Sequence, residues 1–293
     1  MTVPLRSPVN ALVSYFYFGK DDIGDLADHG LRLIGDSGAY SAITTGNPID
    51  RRAFAEWGAR WRGSLCWLAS LDVIGDERGS RKNYDWLRSH GLDVIPTLHY
   101  GVKPQAMDSY VKEGVDFIGL GGMVGPSSSA TSLLRWTLSM MRYARDHHPQ
   151  VRFHGWGLTT VDVMVVLPWW SLDSSSYGSA WRYGRMRLFD PRTAKFVSMR
   201  TDGREAYQHS DFLQRYYATT AQKVATVDHD SIPEHGRVAA KSYQYVETYL
   251  RQRFPMTPPT YGITGAEEGQ SVHLVDGAKR HLRALRVKPK ESV

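Results

Sequence analysis

The feature that most constrains the fold is a regular alternation of apolar, β-type segments with amphipathic helical ones. Apolar runs at residues 31–34, 65–72 and 93–99 are each followed by polar segments with helical periodicity. In one of these, residues 50–61, aromatic side chains recur at every third or fourth position, as on one face of a helix. Roughly six or seven such units follow one another, which favours a parallel sheet with helical crossovers. We therefore predict an α/β protein with a closed (β/α)8 (TIM) barrel rather than an open sheet.

The alternation continues without a linker, so the chain of 293 residues is predicted to form a single domain, residues 1–293. No G-x-G-x-x-G follows the first strand, which argues against a dinucleotide-binding fold. Beyond residue 205 the pattern becomes helical, and residues 205–293 are expected to supply helical barrel closure and a basic tail. Four apolar residues of this region would share one helix face: Ala239, Tyr243, Val246 and Leu250.

Cysteine content and hydropathy restrict the compartment. Cys66 is the only cysteine, so no internal disulfide can form and a reducing compartment is expected. The N-terminal residues lack the layout of a signal peptide, and no stretch approaches the ~20 apolar residues of a membrane span. The sequence thus predicts a cytoplasmic protein with no membrane partner.

Positive charge is unevenly distributed along the chain, whose formal net charge is +6. In the segment WRYGRMRLF, Arg182, Arg185 and Arg187 are interleaved with aromatic residues and no acid. Six basic residues and no acidic one lie between Lys279 and Lys290. Basic residues interleaved with aromatic ones favour binding of a phosphate backbone whose bases can stack. The alternative interpretation is a solvated surface and a frayed tail.

Polar residues concentrate at the predicted strand ends, which is where (β/α)8 barrels carry their active sites. Three strands end at or near an aspartate: Asp36, Asp72 and Asp173. Each aspartate alone could simply form a turn or cap a helix. A carboxylate directly after an apolar strand is, however, partly buried and needs a partner or a chemical role. The other candidate site residues at strand ends and in glycine loops are Ser37, Gly38, Tyr40, His99, Tyr100, Gly121, Gly122, Met123, Trp156 and Gly157.

Five segments, in the order DSGAY, SLDVIGD, IGLGGMVG, FHGWGLTT and SLDSSSYGSAWRYGR, resemble the motifs of the tRNA-guanine transglycosylase superfamily. That family is a (β/α)8 barrel that exchanges guanine in a nucleic acid for a 7-deazaguanine. The resemblance extends over about residues 31–190, and the matching order of the motifs makes it more specific than any motif alone.

The chain also departs from the family's pattern. Asp36-Ser37-Gly38-Ala39-Tyr40-Ser41 stands where the family has Asp-Ser-Gly-Gly-Phe-Gln. No cysteine follows Cys66, so the structural zinc site of the tRNA enzymes is absent, and the chain is shorter than the bacterial tRNA enzymes. It therefore most resembles phage-encoded relatives that insert 7-deazaguanines, preQ0-like bases, into DNA, which would place it in the host cytoplasm.

The resemblance implies a role for each aspartate. Asp173 would attack C1′ of the target nucleotide and hold a covalent deoxyribosyl intermediate, because retention of configuration requires two inversions. Asp36 would serve as the acid/base, and Asp72 would accept hydrogen bonds from N1–H and the 2-amino group of guanine. Neither a metal nor a cofactor would be required.

The resemblance further implies how the substrates bind. Tyr40 would stack on the base, with Met123 on the opposite face. His99 or Tyr100 would stand where the family has a glutamine, and the glycine loops would contact the exocyclic groups of the base. The target nucleotide would be flipped out of its helix, and its flanking phosphates would be held by three arginines: Arg182, Arg185 and Arg187.

DNA and a free 7-deazaguanine base are therefore the expected partners. Three other interpretations stay open at this point. The protein could act on tRNA, it could be a non-catalytic nucleic-acid-binding barrel, or it could be an unrelated barrel hydrolase with paired carboxylates. The presence of all three aspartates argues against a decayed, non-catalytic site.

Overall fold

The computed structural model describes residues 8–123, 129–158, 161–226, 231–264 and 270–275. The strands are β1 Val9–Ser14, β2 Leu31–Asp36, β3 Leu65–Ala69, β4 Val94–Ile95, β5 Thr97–His99, β6 Phe117–Gly121, β7 Arg152–Gly155, β8 Ser171–Ser174, β9 Arg185–Asp190, β10 Lys195–Arg200 and β11 Ser271–Val275. The α-helices are α1 Tyr15–Phe18, α2 Gly24–Asp28, α3 Ala39–Thr45, α4 Arg51–Trp61, α5 Glu77–Ser89, α6 Met107–Lys112, α7 Ala130–His147, α8 Val161–Val166, α9 Ser179–Tyr183, α10 Glu205–Gln208, α11 Ser210–Phe212, α12 Ala221–Ala225 and α13 Ile232–Arg253. Short 3₁₀ helices span Pro104–Ala106 and Ser175–Gly178, and a π-helix spans Leu213–Tyr217.

The main sheet closes on itself. Its nine strand segments follow the order β4-β3-β2-β1-β11-β8-β7-β6-β5, and every pairing is parallel. The first and last segments of this order, β4 and β5, are separated in the chain only by Pro96, which has no amide hydrogen for a strand ladder. They are two halves of one strand, so the nine segments make an eight-stranded barrel. The predicted (β/α)8 fold is confirmed.

The eighth barrel strand is β11, which pairs with both β1 and β8. The sequence predicts closure beyond residue 205 but does not locate this strand, because a single apolar pentapeptide carries little periodicity. The predicted helical part of the closure is α13. The apolar face predicted for this helix is buried at each of its four positions: Ala239, Tyr243, Val246 and Leu250.

One local prediction is wrong. The composition of ALVSYFYF, residues 11–18, predicts a strand throughout, but the strand ends at Ser14 and Tyr15–Phe18 is helical. The Phe16 amide donates to the carbonyl of Ser37, so the chain turns at the barrel rim despite its aromatic, β-favouring residues.

The basic segment WRYGRMRLF forms the end of α9 and most of strand β9, which pairs with β10 in an antiparallel hairpin. Met186 and Leu188 are buried in this strand, whereas Arg185 and Arg187 are exposed. Arg185 and Arg187 therefore stand on one face of a half-buried strand, outside the barrel.

Three apolar clusters hold the described chain together. The largest lies between the barrel and its helices, and a second joins the β9–β10 hairpin to α9 through α13. The third fills the barrel interior, where Trp67 and Trp170 are almost fully buried. Among the helices in the described ranges, none has both the length and the apolar character to cross a membrane.

We expect Gly119→Ala to destabilise the barrel by about 1–3 kcal/mol through overpacking. A β-carbon at this position in β6 would lie 2.2 Å from Nε1 of Trp156, which donates to Oγ1 of Thr97 at 3.1 Å. Thermal unfolding measures the loss. Gly63→Ala is the matched control, since nothing lies within 4 Å of a β-carbon there. Equal melting temperatures for the two variants would contradict this packing.

Candidate active site

The three aspartates stand at the barrel mouth, meaning the carboxyl ends of the barrel strands and the loops that follow them. Asp36 is the last residue of β2, Asp173 lies within β8, and Asp72 follows the end of β3. Because all barrel strands are parallel, these ends meet on one face of the barrel. Asp173 is 5% exposed and the Asp72 side chain 15% exposed, while Asp36 is half-buried.

Asp36 both forms a turn and titrates abnormally. Its Oδ2 accepts a hydrogen bond of 2.9 Å from the amide of Gly38. Gly38 has a φ of +82°, and a β-carbon at this position would lie 2.3 Å from Oγ of Ser14. Burial and the negative charge of Asp173 raise the pKa of Asp36 to about 7, against the opposing effect of the Gly38 and Ser37 amides. A carboxyl that is easily protonated near neutral pH is suited to general acid/base chemistry.

Asp173 is held through one of its two oxygens. Oδ1 accepts a hydrogen bond from the amide of Gly157 at 2.9 Å and lies 3.1 Å from Nε2 of His154. Within the described ranges, no donor lies within hydrogen-bonding distance of Oδ2. Burial raises the pKa of Asp173 to about 7, although the Gly157 amide favours the ionised form. Oδ2 is therefore available for nucleophilic attack when Asp173 is ionised.

Asp72 lies in a separate polar group at the mouth, together with His99 and Glu77. Oε1 of Glu77 lies 2.8 Å from Nδ1 of His99 and accepts from the His99 amide at 2.9 Å. Nε2 of His99 lies 3.8 Å from Oδ2 of Asp72. Burial opposes a charge on His99, but Glu77 and Asp72 outweigh it and raise the pKa of this imidazole. Burial raises the pKa of Asp72 to about 7, while His99 and Thr97 act in the opposite direction.

Several buried polar atoms at the mouth have no protein partner. Such atoms are uncommon in folded proteins, because each one forfeits the hydrogen bonds it makes with water. They present both donors and acceptors at the ends of β1, β3 and β5, so they can bind the polar edge of a ligand. Within the described ranges these atoms are Oγ of Ser14, Oγ of Ser70, Oδ1 of Asp72 and Nε2 of His99.

The structure separates the two candidates on the fourth strand. His99 faces Asp72, whereas the ring of Tyr100 packs edge-on against Trp136 of α7, with ring centroids 5.5 Å apart. Tyr40 projects from the first turn of α3 and is 55% exposed. Of His99 and Tyr100, it is therefore His99 that lies beside Asp72.

The glycine loops lie beside the same mouth. Gly122 has a φ of +68°, and a β-carbon on Gly121 would lie 2.8 Å from Thr97. Met123 is buried, while residues 124–125 of this motif lie outside the described residues. The ring of Trp156 contacts His154 at a centroid distance of 4.1 Å. The backbone at Gly121 therefore approaches Thr97 too closely to carry a side chain.

Two concave surfaces adjoin the mouth. The first has a volume of about 460 Å³, lies between α3 and the segment after β3, and is mostly apolar with Asp72 in its wall. The second has a volume of about 320 Å³ and begins directly after β8, the strand of Asp173. The second is lined by Ser175, Ser176, Ser179, Arg182, Tyr183, Arg185 and Arg187.

The three predicted phosphate-binding arginines thus line one cavity. Arg182 is anchored by hydrogen bonds to the carbonyls of Ser175 and Gly178, and Arg185 contacts Oγ of Ser198 at 3.2 Å. Hydroxyl groups and guanidinium groups together are suited to binding phosphate oxygens. The predicted basic tail, residues 279–290, lies outside the described residues.

Four side chains of this site were not predicted from the sequence. Glu77, Thr97 and His154 contact the candidate residues His99, Trp156 and Asp173, respectively, and Ser171 contacts His154. His154 offered the only signal, a histidine inside an otherwise apolar strand, directly before Gly155. The contacts of the other three depend on which strands become neighbours, which the sequence does not display.

Neither a known protein family nor a curated protein matches this chain. Among the described residues, no group of three histidine, cysteine, aspartate or glutamate side chains is arranged to hold a metal ion.

The buried state of Asp72 predicts a pH-dependent stability. Its pKa rises from 3.8 to about 7 on folding, so its contribution is fully present below about pH 4 and is lost as the pH rises through about 7. About three pK units correspond to at most ~4 kcal/mol. The Asp72→Asn variant has no carboxyl to ionise at this position. Its unfolding free energy relative to that of the wild type should therefore be higher at pH 8 than at pH 4.

Denaturant unfolding at the two pH values measures this difference. Asp50→Asn is the control, because two backbone amides hold the pKa of that helix-capping carboxyl below its usual value. Asp50→Asn should not raise the unfolding free energy above that of the wild type at pH 8. An Asp72→Asn variant that follows the wild-type pH dependence would contradict the burial argument.

Proposed function

We propose that this protein is a DNA-guanine transglycosylase that exchanges guanine in DNA for a 7-deazaguanine base through a covalent aspartyl-deoxyribose intermediate. The observation that carries the proposal is the pair of charge-coupled carboxyls at the barrel mouth, Asp36 and Asp173, each with a pKa of about 7. Two such groups supply a nucleophile and a proton donor at neutral pH. The motif order that resembles the transglycosylase superfamily supports the same assignment.

The first half-reaction uses the two carboxyls in opposite protonation states. Oδ2 of ionised Asp173 attacks C1′ of the flipped nucleotide, and the bond from C1′ to N9 of guanine breaks. Protonated Asp36 donates its proton to the departing guanine. The charge coupling between the two groups favours this state, because one proton on the pair avoids two neighbouring negative charges.

The second half-reaction runs the same chemistry backwards. The incoming 7-deazaguanine loses its N9 proton to ionised Asp36, and N9 then attacks C1′ and displaces Asp173. The two inversions restore the original configuration at C1′. The chain's own carboxyls supply every proton transfer in this cycle.

Base recognition is assigned to Asp72 and His99. The unpartnered Oδ1 of Asp72 can accept from an N–H group of the base, and the unpartnered Nε2 of His99 can donate to a carbonyl oxygen. Together these two atoms match a base edge that carries both an N–H and a C=O group. Guanine-like bases have such an edge, whereas adenine has no carbonyl oxygen. The adjoining cavity of about 460 Å³ offers apolar walls for a planar base.

Base exchange is tested directly with radiolabelled guanine, incubated with the protein and either duplex DNA or tRNA. We expect label in DNA, its displacement by 7-cyano- or 7-aminomethyl-7-deazaguanine, and no label in tRNA. Label in tRNA alone would make the protein a tRNA enzyme, and release of guanine without incorporation would make it a hydrolase. Failure to transfer or release any base would refute the proposal.

The arginine-lined cavity predicts the salt dependence of DNA binding. Replacing Arg182, Arg185 and Arg187 with alanine should weaken binding to all duplex sequences. Each lost phosphate contact should lower the slope of log K against log salt by about 0.9. Titrations between low and moderate salt measure the slope. Arg60→Ala, on the exposed face of α4, is the matched control, and an unchanged slope in the triple variant would mean that the arginines only solvate this surface.

A further inference from the structure

A buried serine–histidine pair lies directly behind Asp173. His154, in β7, is fully buried, with Nδ1 2.7 Å from Oγ of Ser171 and Nε2 3.1 Å from Oδ1 of Asp173. Ser171 precedes Asp173 by two positions in β8, so both side chains point to the barrel interior. Three side chains on two neighbouring strands therefore form one continuous chain of hydrogen bonds.

The imidazole in this chain is neutral, because burial lowers the pKa of His154 well below its usual value. A neutral imidazole carries its proton on only one nitrogen. If that nitrogen is Nε2, it donates to the carboxylate, and Nδ1 accepts from the Ser171 hydroxyl. If it is Nδ1, a lone pair of Nε2 faces Oδ1 of ionised Asp173, which is repulsive. The ionised carboxylate thus selects the Nε2–H tautomer, and the serine hydroxyl, which can donate or accept, matches that tautomer by donating to Nδ1.

We propose that Ser171 and His154 are a positioning pair that fixes Oδ1 of Asp173 and leaves Oδ2 as the nucleophilic oxygen. Together with the Gly157 amide, Nε2–H gives Oδ1 two donors, so the carboxylate cannot rotate to exchange its oxygens without losing both bonds. The rings of Trp67 and Trp156 pack against the imidazole at centroid distances of 4.9 and 4.1 Å and restrict its orientation. This inference rests on the proposed role of Asp173 as the nucleophile.

The chain contains a matched control for this pair. Ser271, in β11, lies beside Ser171 in the sheet register and is equally buried. Its Oγ lies 2.9 Å from Nε2 of His273, another buried histidine. His273 lies beside Asp173 in the sheet register, and its ring centroid is 6.2 Å from that of His154. Among the described residues, however, no hydrogen bond joins Ser271 or His273 to a carboxyl of the barrel mouth, so Ser271→Ala removes the same chemical group at similar burial without breaking a hydrogen bond to the nucleophile or to His154.

The kinetic test compares Ser171→Ala with Ser271→Ala and Ser171→Thr. We expect Ser171→Ala to lower kcat for base exchange by roughly 10-fold, because the hydrogen bond that orients the neutral His154 toward Asp173 is lost, with KM for DNA unchanged. The acidic limb of its kcat profile should move to higher pH, because the carboxylate loses an oriented donor. Ser171→Thr, which restores the hydroxyl, should recover most of the rate, and Ser271→Ala should resemble the wild type.

The pH shift is assignable because the surroundings of Asp173 are known. The other titratable groups around Asp173 are Asp36, Tyr243 and, on the neighbouring strand β11, His273, whose pKa burial lowers well below its usual value; Ser171→Ala replaces none of them. An unchanged kcat and pH profile in Ser171→Ala would overturn the proposal. Equal losses in Ser171→Ala and Ser271→Ala would overturn it as well, because they would indicate a general packing defect.

A second measurement uses the unmodified protein and does not depend on activity. In ¹⁵N-histidine-labelled protein at pH 8, the ring nitrogens of His154 are identified by the signals that disappear in His154→Gln. The proposal requires a proton on Nε2 and none on Nδ1. A proton on Nδ1 would overturn the positioning pair whether or not exchange occurs. The Nε2–H tautomer in a protein without exchange activity would support the pair and refute only the transglycosylase assignment.

Discussion

Asp173→Asn should lose base exchange almost completely, with kcat lowered by at least about 10⁴-fold, as is usual when a covalent nucleophile is removed. The asparagine carbonyl can still accept from the Gly157 amide and from His154, so the fold and DNA binding should persist. What the variant lacks is the anionic Oδ2 that attacks C1′. Denaturing gels of reactions with a 7-deazaguanine should contain a protein–DNA adduct for the wild type only.

Asp190→Asn is the matched control for this experiment. Asp190 is equally buried, at 4% exposed, but it ends β9 in the hairpin and pairs with Arg192 at 3.0 Å. Its replacement should leave exchange and adduct formation intact, although the lost ion pair can lower the melting temperature. Normal exchange by Asp173→Asn would remove the nucleophile from the mechanism and with it the covalent intermediate.

Asp36→Asn should slow exchange by about 10² to 10⁴-fold, or ~3 to 5 kcal/mol of barrier, because asparagine cannot transfer the proton. The turn itself should survive, since the asparagine oxygen can accept from the Gly38 amide as Oδ2 of Asp36 does. Exchange kinetics measured beside thermal unfolding distinguish a catalytic role from a structural one.

The pH dependence strengthens this test. The pKa of Asp36 is raised to about 7, so its contribution to stability is lost as the pH rises through that value. Asparagine stays neutral, and Asp36→Asn should therefore melt no lower than the wild type at pH 8. Wild-type exchange should show a bell-shaped profile centred near pH 7, because activity needs one proton on the Asp36–Asp173 pair. Normal exchange by Asp36→Asn would reduce this residue to a turn-former.

Much of the fold could be predicted from periodicity alone. Alternation between strand and helix patterns specifies a parallel sheet, because each apolar helix face needs a sheet to cover it. The same periodicity correctly predicts the buried face of α13. Periodicity did not locate β11. The five residues of this strand pair with β1 on one side and with β8 on the other, and such pairing is not visible in a short local pattern.

The site was partly predictable for a related reason. Asp36, Asp72 and Asp173 could be selected because a carboxyl at the end of an apolar strand conflicts with its surroundings, and that conflict is visible in sequence. Their convergence also follows from a parallel barrel. The choice between His99 and Tyr100 could not be made, because it depends on which of two neighbouring side chains faces the mouth and which faces α7.

The sequence by itself determined the alternation of strands and helices from β2 to β8 and the presence of acidic groups at the strand ends, because both are properties of local pattern. Only the tertiary structure decided the chemistry of those groups. Burial and the proximity of Asp173 raise the pKa of Asp36, and both arise from strands far apart in the chain. The contact of His154 with Ser171 and Asp173 likewise exists only because β7 and β8 pair in one register. Electrostatic and hydrogen-bonding effects act over a few ångströms of space, and the sequence records distance only along the chain.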